Sequence, residues 1–189
     1  LGLSLAALQA ARFSRQESPL LLLGFAAHMA SAYAQVWLTK ALYGGGDLFG
    51  YTRNGEALAR LLRVDFWQFA PELLKALFHQ LPNLPFDVPA VGSSTGSMYV
   101  IATFVAYLTG GSYFTLSLFV AVFGYFGKVA LYRAFKASLP EEFHSRLLIA
   151  ITLIPSSIFW SSAMLKEAVA ISGLGYLVWG LVRFRSSVS

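Results

Sequence analysis

The residues in this sequence best suited to chemistry are an acid, an amine and a second acid. Asp47 follows three glycines in Gly44-Gly45-Gly46-Asp47-Leu48-Phe49-Gly50-Tyr51. Lys166 and Glu167 close the run Pro155-Ser156-Ser157-Ile158-Phe159-Trp160-Ser161-Ser162-Ala163-Met164-Leu165-Lys166-Glu167. Both motifs lie where long apolar stretches end. Charge at a membrane border is costly, so it is usually kept for a task. A carboxylate in such a semi-dry place acts over a longer range than in water. It can take a proton from a hydroxyl or hold a divalent metal, the one cofactor these residues suggest. Tyr51, one helical turn on, can stack on a ring or donate to a phosphate. Asp after a flexible turn is also an ordinary helix N-cap, and both readings of Asp47 stand at this point.

Lys166 and Glu167 are sequence neighbours, so on a helix they diverge by about 100° and each meets something different. A lone ammonium at the border binds a phosphate as a point charge, or simply snorkels to the headgroups. Trp160 suits a sugar face or an interfacial aromatic belt. Arg53, Arg60 and Arg63 follow Asp47 and suit a pyrophosphate, anionic headgroups or plain solvation. His79 and His144 have no partners at metal-ligand spacing, and His28 reads as a helix-packing group. The sequence holds no phosphate-binding glycine loop, nucleophile elbow or metalloprotease motif.

The elements that must hold these residues are membrane helices. Of 189 residues, 57% are hydrophobic and only 12% charged, against about 25% charged in soluble domains. The net charge of +5 comes from basic residues placed singly at the ends of apolar runs, which is the positive-inside pattern and not a nucleic-acid patch. Cysteine is absent, which excludes thiol chemistry. The chain reads as an all-α, polytopic transmembrane helix bundle. Its spans are expected at about 20–42, 112–135, 147–162 and 168–183, each close to the length that crosses a bilayer. Residues 1–17 read as a short helix over Leu1–Gln9 with Arg12 and Arg15 behind it. The start at Leu1 and the polar end suggest a fragment of a longer protein.

Between the first two spans, 44–96 reads as an outer loop with amphipathic surface helices. One is expected over about Leu48–Leu62. The other is expected over Pro71–Gln80, with Leu74, Leu77 and Phe78 on its apolar side. Pro82, Pro85 and Pro89 then make a stiff, irregular connection. Residues 97–109 are apolar but short, and are assigned as a re-entrant or surface helix; two full spans are the competing reading. His28, Ser31 and Gln35 share one face of the first span, which should point at other helices. Gly173 and Gly175 suggest close packing of the last span. Basic residues at 12 and 15, then 133, 136 and 146, then 183 and 185 place the N-terminal side in the cytoplasm of a plasma (inner) membrane. The 44–96 loop and the Trp160–Glu167 turn then share the outer side.

These features together resemble the N-terminal part of membrane glycosyltransferases of the C-type fold, the group of the dolichyl-phosphate-mannose protein mannosyltransferases and their bacterial relatives. The likeness rests on an acid opening the first outer loop (Asp47-Leu48-Phe49-Gly50-Tyr51) and on the short apolar segment Tyr99–Tyr107 before Gly110-Gly111. It continues in a span ending Leu131-Tyr132-Arg133 and in the turn from Pro155 to Glu167. It covers roughly residues 19–183. The resemblance implies an inverting transfer, on the outer face, of a sugar carried on a polyprenyl phosphate. It assigns Asp47 as base or acceptor ligand. Glu167 is expected as the second catalytic acid, and the residues themselves suggest Tyr51, Arg53, Trp160 and Lys166 for substrate binding. The chain departs from the pattern in having Leu48, not a second acid, beside Asp47. The alternative is a non-catalytic integral membrane scaffold subunit of a larger complex. Expected partners are membrane lipids, the lipid-linked sugar and other membrane subunits, and no nucleic acid.

Overall fold

The computed structural model describes Ser4, residues 13–85 and residues 87–188. Apart from Ser4, the expected helix over Leu1–Gln9 lies outside the described residues. Among the described residues the protein is all-helical, with 79% helix and no strand. In chain order the helices are α1 (Glu17–Leu38), α2 (Asp47–Val64), α3 (Phe66–Leu77), α4 (Ser94–Thr109), α5 (Tyr113–Lys136), α6 (His144–Thr152), α7 (Pro155–Trp160) and α8 (Lys166–Val188). A π-turn over Thr39–Tyr43 prolongs α1, and Gly44 ends it in the left-handed region at φ 62°, where glycine carries no Cβ penalty. Among the described residues, three helices are long and apolar enough to cross a membrane: Glu17–Tyr43, Tyr113–Lys136 and Lys166–Ser187.

The stretch expected as one span over 147–162 is instead two short helices, of 9 and 6 residues. Pro155 is the cause. A proline disfavours helical backbone in the residue before it, and Ile154 is extended at φ −67°, ψ 122°. The second loop helix also differs from expectation. It begins at Phe66, because the Asp65 side chain accepts from the Gln68 backbone N–H at 2.9 Å and caps it there. Pro71 is tolerated inside. The buried side of this helix is Ala70, Leu73 and Ala76. The expected apolar side is largely outward, with Leu74 44% and Phe78 74% exposed.

The chain forms two compact units. One comprises Leu1–Gln35, Val120–Ala163 and Glu167–Ser189; the other comprises Val36–Phe119 and Met164–Lys166. In the first, Leu21, Phe25, Tyr125, Val129, Tyr132 and Leu148 make the core. Glu17 accepts from Tyr132 and, at 2.6 Å, from Lys136. Gly127 and Gly175 allow close helix approach here, since a Cβ on Gly175 would lie 2.0 Å from the Gly127 carbonyl oxygen. Gly173, expected to pack likewise, faces open space.

In the second unit α2, α3 and α4 pack around Leu58, Leu62, Ala70, Leu73, Val88 and Val100. α2 and α4 approach closely at Gly55, whose missing Cβ would sit 2.6 Å from the Cβ of Ala102. Asp47, Tyr51 and Gly55 are spaced i, i+4, i+8 on α2. Thr95, Tyr99 and Ala102 are spaced i, i+4, i+7 on α4. Each set lies on one helical stripe, so the Gly55–Ala102 crossing lays one stripe along the other.

Candidate functional site

The candidate site is built in the second unit, where these two stripes meet. The N-cap position of α2 is Gly46, which has no side chain, and Asp47 is the first helical residue. The capping reading of Asp47 therefore gives way: the carboxylate sits one place further in and accepts from the Tyr51 hydroxyl at 3.1 Å. Tyr51 is 2% exposed, and its ring meets that of Tyr99 edge-on at 5.6 Å. Thr95 stands in the first turn of α4. That turn is fixed by Ser93, whose hydroxyl accepts from the Gly96 N–H at 3.3 Å. A Cβ on Gly96 would lie 2.3 Å from the Ala90 carbonyl oxygen, so glycine is needed there.

Lys166 arrives from the far end of the sequence. Its ammonium donates to the Thr95 hydroxyl at 2.9 Å and lies 6.0 Å from the centre of the Tyr51 ring, within cation–π range. Thr95 is also a hydrogen-bond partner of the Tyr51 hydroxyl. An ammonium only donates and a carboxylate only accepts, so the line has one direction. Lys166 donates to Thr95, Thr95 to Tyr51, and Tyr51 to Asp47. Burial, and then the facing Asp47 carboxylate, push the Tyr51 hydroxyl from the ordinary 10.0 up to about 12. Tyr51 therefore stays a neutral donor at physiological pH.

Three of the residues singled out in the sequence are thus brought together: Asp47, Tyr51 and Lys166. Arg53 is exposed and lines an adjoining open cleft of about 280 Å³ with Gly44, Gly45, Gly46, Phe49, Gly50 and Asn54. Glu167 is exposed in the first turn of α8 and belongs to the other unit. Trp160 also belongs to that unit, half exposed, with its ring edge-on to Phe159 at 5.4 Å. Of the other arginines, Arg60 pairs with Glu56 at 2.9 Å on the surface. Arg63 donates to the Ala106 carbonyl at 2.9 Å, so it ties α2 to α4. Among the described residues no three His, Cys, Asp or Glu side chains converge as metal ligands.

Sequence reasoning missed Thr95. The signal was the polar run Ser93-Ser94-Thr95-Gly96-Ser97 ahead of an apolar helix, a helix-start pattern that reads equally as the tail of a proline-rich connection. No family model, no curated protein and no solved structure matches this chain.

Proposed function

We propose that this chain is the membrane part of a glycosyltransferase that uses a polyprenyl-phosphate-linked sugar on the outer face of the membrane, with a C-type-like helical fold. The observation that carries the reading is the hydrogen-bonded line Lys166–Thr95–Tyr51–Asp47. It joins an acid at the start of the long loop to an amine more than a hundred residues later. In this reading Asp47, exposed at the end of the line, takes the proton of the acceptor hydroxyl as the carrier phosphate leaves. Tyr51 aims the carboxylate. Lys166 meets the carrier phosphate as a point charge, and Arg53 offers a second cationic contact across the glycine-lined cleft. The site faces outward in a polytopic bundle of the inner membrane whose N-terminal side is cytoplasmic. The exposed apolar edge of α3, with Trp67 85% and Phe78 74% exposed, suits a helix seated in the headgroup region.

General-base help is worth about 10²–10⁴-fold. Asp47→Asn keeps the size and the hydrogen bond from Tyr51 but loses the base. Transfer of radiolabelled sugar from a polyprenyl-phosphate donor by the purified chain should fall by at least about 10²-fold, with unchanged thermal unfolding. Full transfer by Asp47→Asn would falsify the assignment. One observation favours a second reading, a scaffold subunit: only 17% of the most apolar window of the last spanning helix is buried, which leaves a face for a partner helix.

A further inference from the structure

Within the first unit a separate polar cluster is buried among spanning helices and is not used by the reaction above. His28 of α1 is 0% exposed, Lys128 of α5 2% and Ser161, just after α7, 0%. The Lys128 ammonium donates to the Ser157 carbonyl at 2.8 Å. Ser161 donates to the same carbonyl at 2.6 Å. His28 meets the Gly24 carbonyl with Nδ1 at 2.7 Å and the Ser161 hydroxyl with Nε2 at 3.3 Å.

Hydrogen-bond bookkeeping fixes the proton positions. A carbonyl only accepts, so Nδ1 of His28 carries a proton. In the neutral ring Nε2 is then an acceptor. The one proton of Ser161, however, is directed at Ser157, where the bond is much shorter. Nε2 and the serine oxygen therefore face each other with no proton between them, an arrangement that costs free energy in a dry place. A second proton on His28 completes the line: Nε2 donates to Ser161, and Ser161 donates to Ser157. Two full positive charges around one carbonyl in a low-dielectric interior repel strongly, so such a pair titrates as one unit.

Among the described residues, the groups packed round the cluster offer no counter-charge. Tyr125 of α5 meets the His28 ring edge-on at 5.4 Å, but its hydroxyl donates to Leu21. Thr152 of α6 and Ser172 of α8 donate to carbonyls of their own helices. Gln35 of α1 donates to the Phe159 carbonyl, and Tyr176 of α8 to Phe123 at 3.4 Å. We infer that His28, Ser161 and Lys128 form a proton-binding site inside the membrane, which holds one proton charge on either Nζ of Lys128 or Nε2 of His28. The total charge is +1 in both states: the proton gained at Nε2 of His28 is matched by the one given up at Nζ of Lys128, so no net proton is taken from the medium. Ionisable groups placed this deep in membrane proteins mark proton or ion paths.

The test is ¹⁵N-histidine NMR across pH on the whole chain in lipid nanodiscs. The sequence has 3 histidines, and His28→Gln assigns the signal of interest. At high pH the unaltered protein should show the Nδ1–H tautomer at His28. Lys128→Met, which removes the competing charge, should raise the proton affinity of His28 at least about tenfold, one pH unit. Lys128→Arg, always charged, should not. Adding Ser161→Ala to Lys128→Met should take back most of the gain, because the relay acceptor is gone. A chain that had merely unfolded would give the same ordinary imidazole with or without Ser161. The proposal is overturned by the Nε2–H tautomer at His28, by Lys128→Met changing the affinity less than about threefold, or by a gain that ignores Ser161.

Discussion

Replacing Gly55 by alanine should open the α2–α4 crossing, whereas the same change at Gly50, on the same helix, should strengthen the protein. Within a helix, alanine is favoured over glycine by roughly 0.5–1 kcal/mol. At Gly50 a new Cβ would meet nothing within 4 Å, so that gain is realised in full. At Gly55 the new Cβ would lie 2.6 Å from the Cβ of Ala102 and 2.7 Å from its carbonyl carbon. Carbon atoms rest at about 3.5–4.0 Å, so the two helices must part by about 1 Å. Much of the obstruction is backbone and cannot rotate away. Overpacking of this kind costs about 1–3 kcal/mol. Set against the propensity gain, the net loss is up to about 2.5 kcal/mol, and the two variants differ by about 1–3 kcal/mol. For a cooperative unit of 60–100 residues each kcal/mol moves Tm by about 4–8 °C. Thermal unfolding in a mild detergent therefore reads the pair directly, with Gly50→Ala above the parent and Gly55→Ala below it. The parting also lifts Tyr51 from Thr95 one turn away, so transfer should fall in Gly55→Ala beyond its loss of stability. If both variants shift Tm in the same direction, the close crossing does not position the site as argued.

Two further outcomes follow from other contacts. Glu72 accepts from Lys75 at 2.6 Å and from the Asn83 backbone N–H at 2.6 Å. The Lys75 ammonium, and then the Asn83 amide, hold its carboxyl below the ordinary 4.5. A depressed carboxyl contributes stability above its unfolded value that is lost as pH falls. Hydrogen exchange at Asn83 should therefore quicken as pH drops below about 4.5, once corrected for intrinsic rates, and Glu72→Gln should show that quickening already at pH 7. In the other unit Gly175→Ala should lower Tm and Gly173→Ala should not, because only the former meets a backbone oxygen, at 2.0 Å.

Several features of the protein were legible in its residues. Apolar run length found the three helices near 20–42, 112–135 and 168–183 that are long and apolar enough to cross a membrane, because the bilayer makes length and charge stringent criteria. The glycines before Asp47 and the helix behind it were equally plain. The fourth apolar run was misjudged because hydrophobicity does not report where a chain breaks; Pro155 decided that by forcing Ile154 out of the helix. The side of α3 that packs inward, Ala70, Leu73 and Ala76, was not singled out in the sequence; Leu74 and Phe78, on the apolar side expected of a surface helix, are exposed.

The amino-acid order by itself determined that the protein is helical and rich in apolar runs, four of them read as spans, and that Asp47, Tyr51 and Lys166 are unusual where they stand; the structure left three of those runs as helices long enough to cross, among the described residues. These are properties of local spacing and transfer from water, which a single segment expresses alone. The tertiary structure decided which of the residues meet. Thr95 joined the line only because Gly55 lets α4 lie against α2, and Glu167 stayed out of it because the residue after Lys166 on a helix turns away by about 100°. His28 and Lys128, a hundred positions apart, share the surroundings of one carbonyl because α7 ends between them. Such pairings depend on where backbones can approach, and no periodicity within a single helix encodes that.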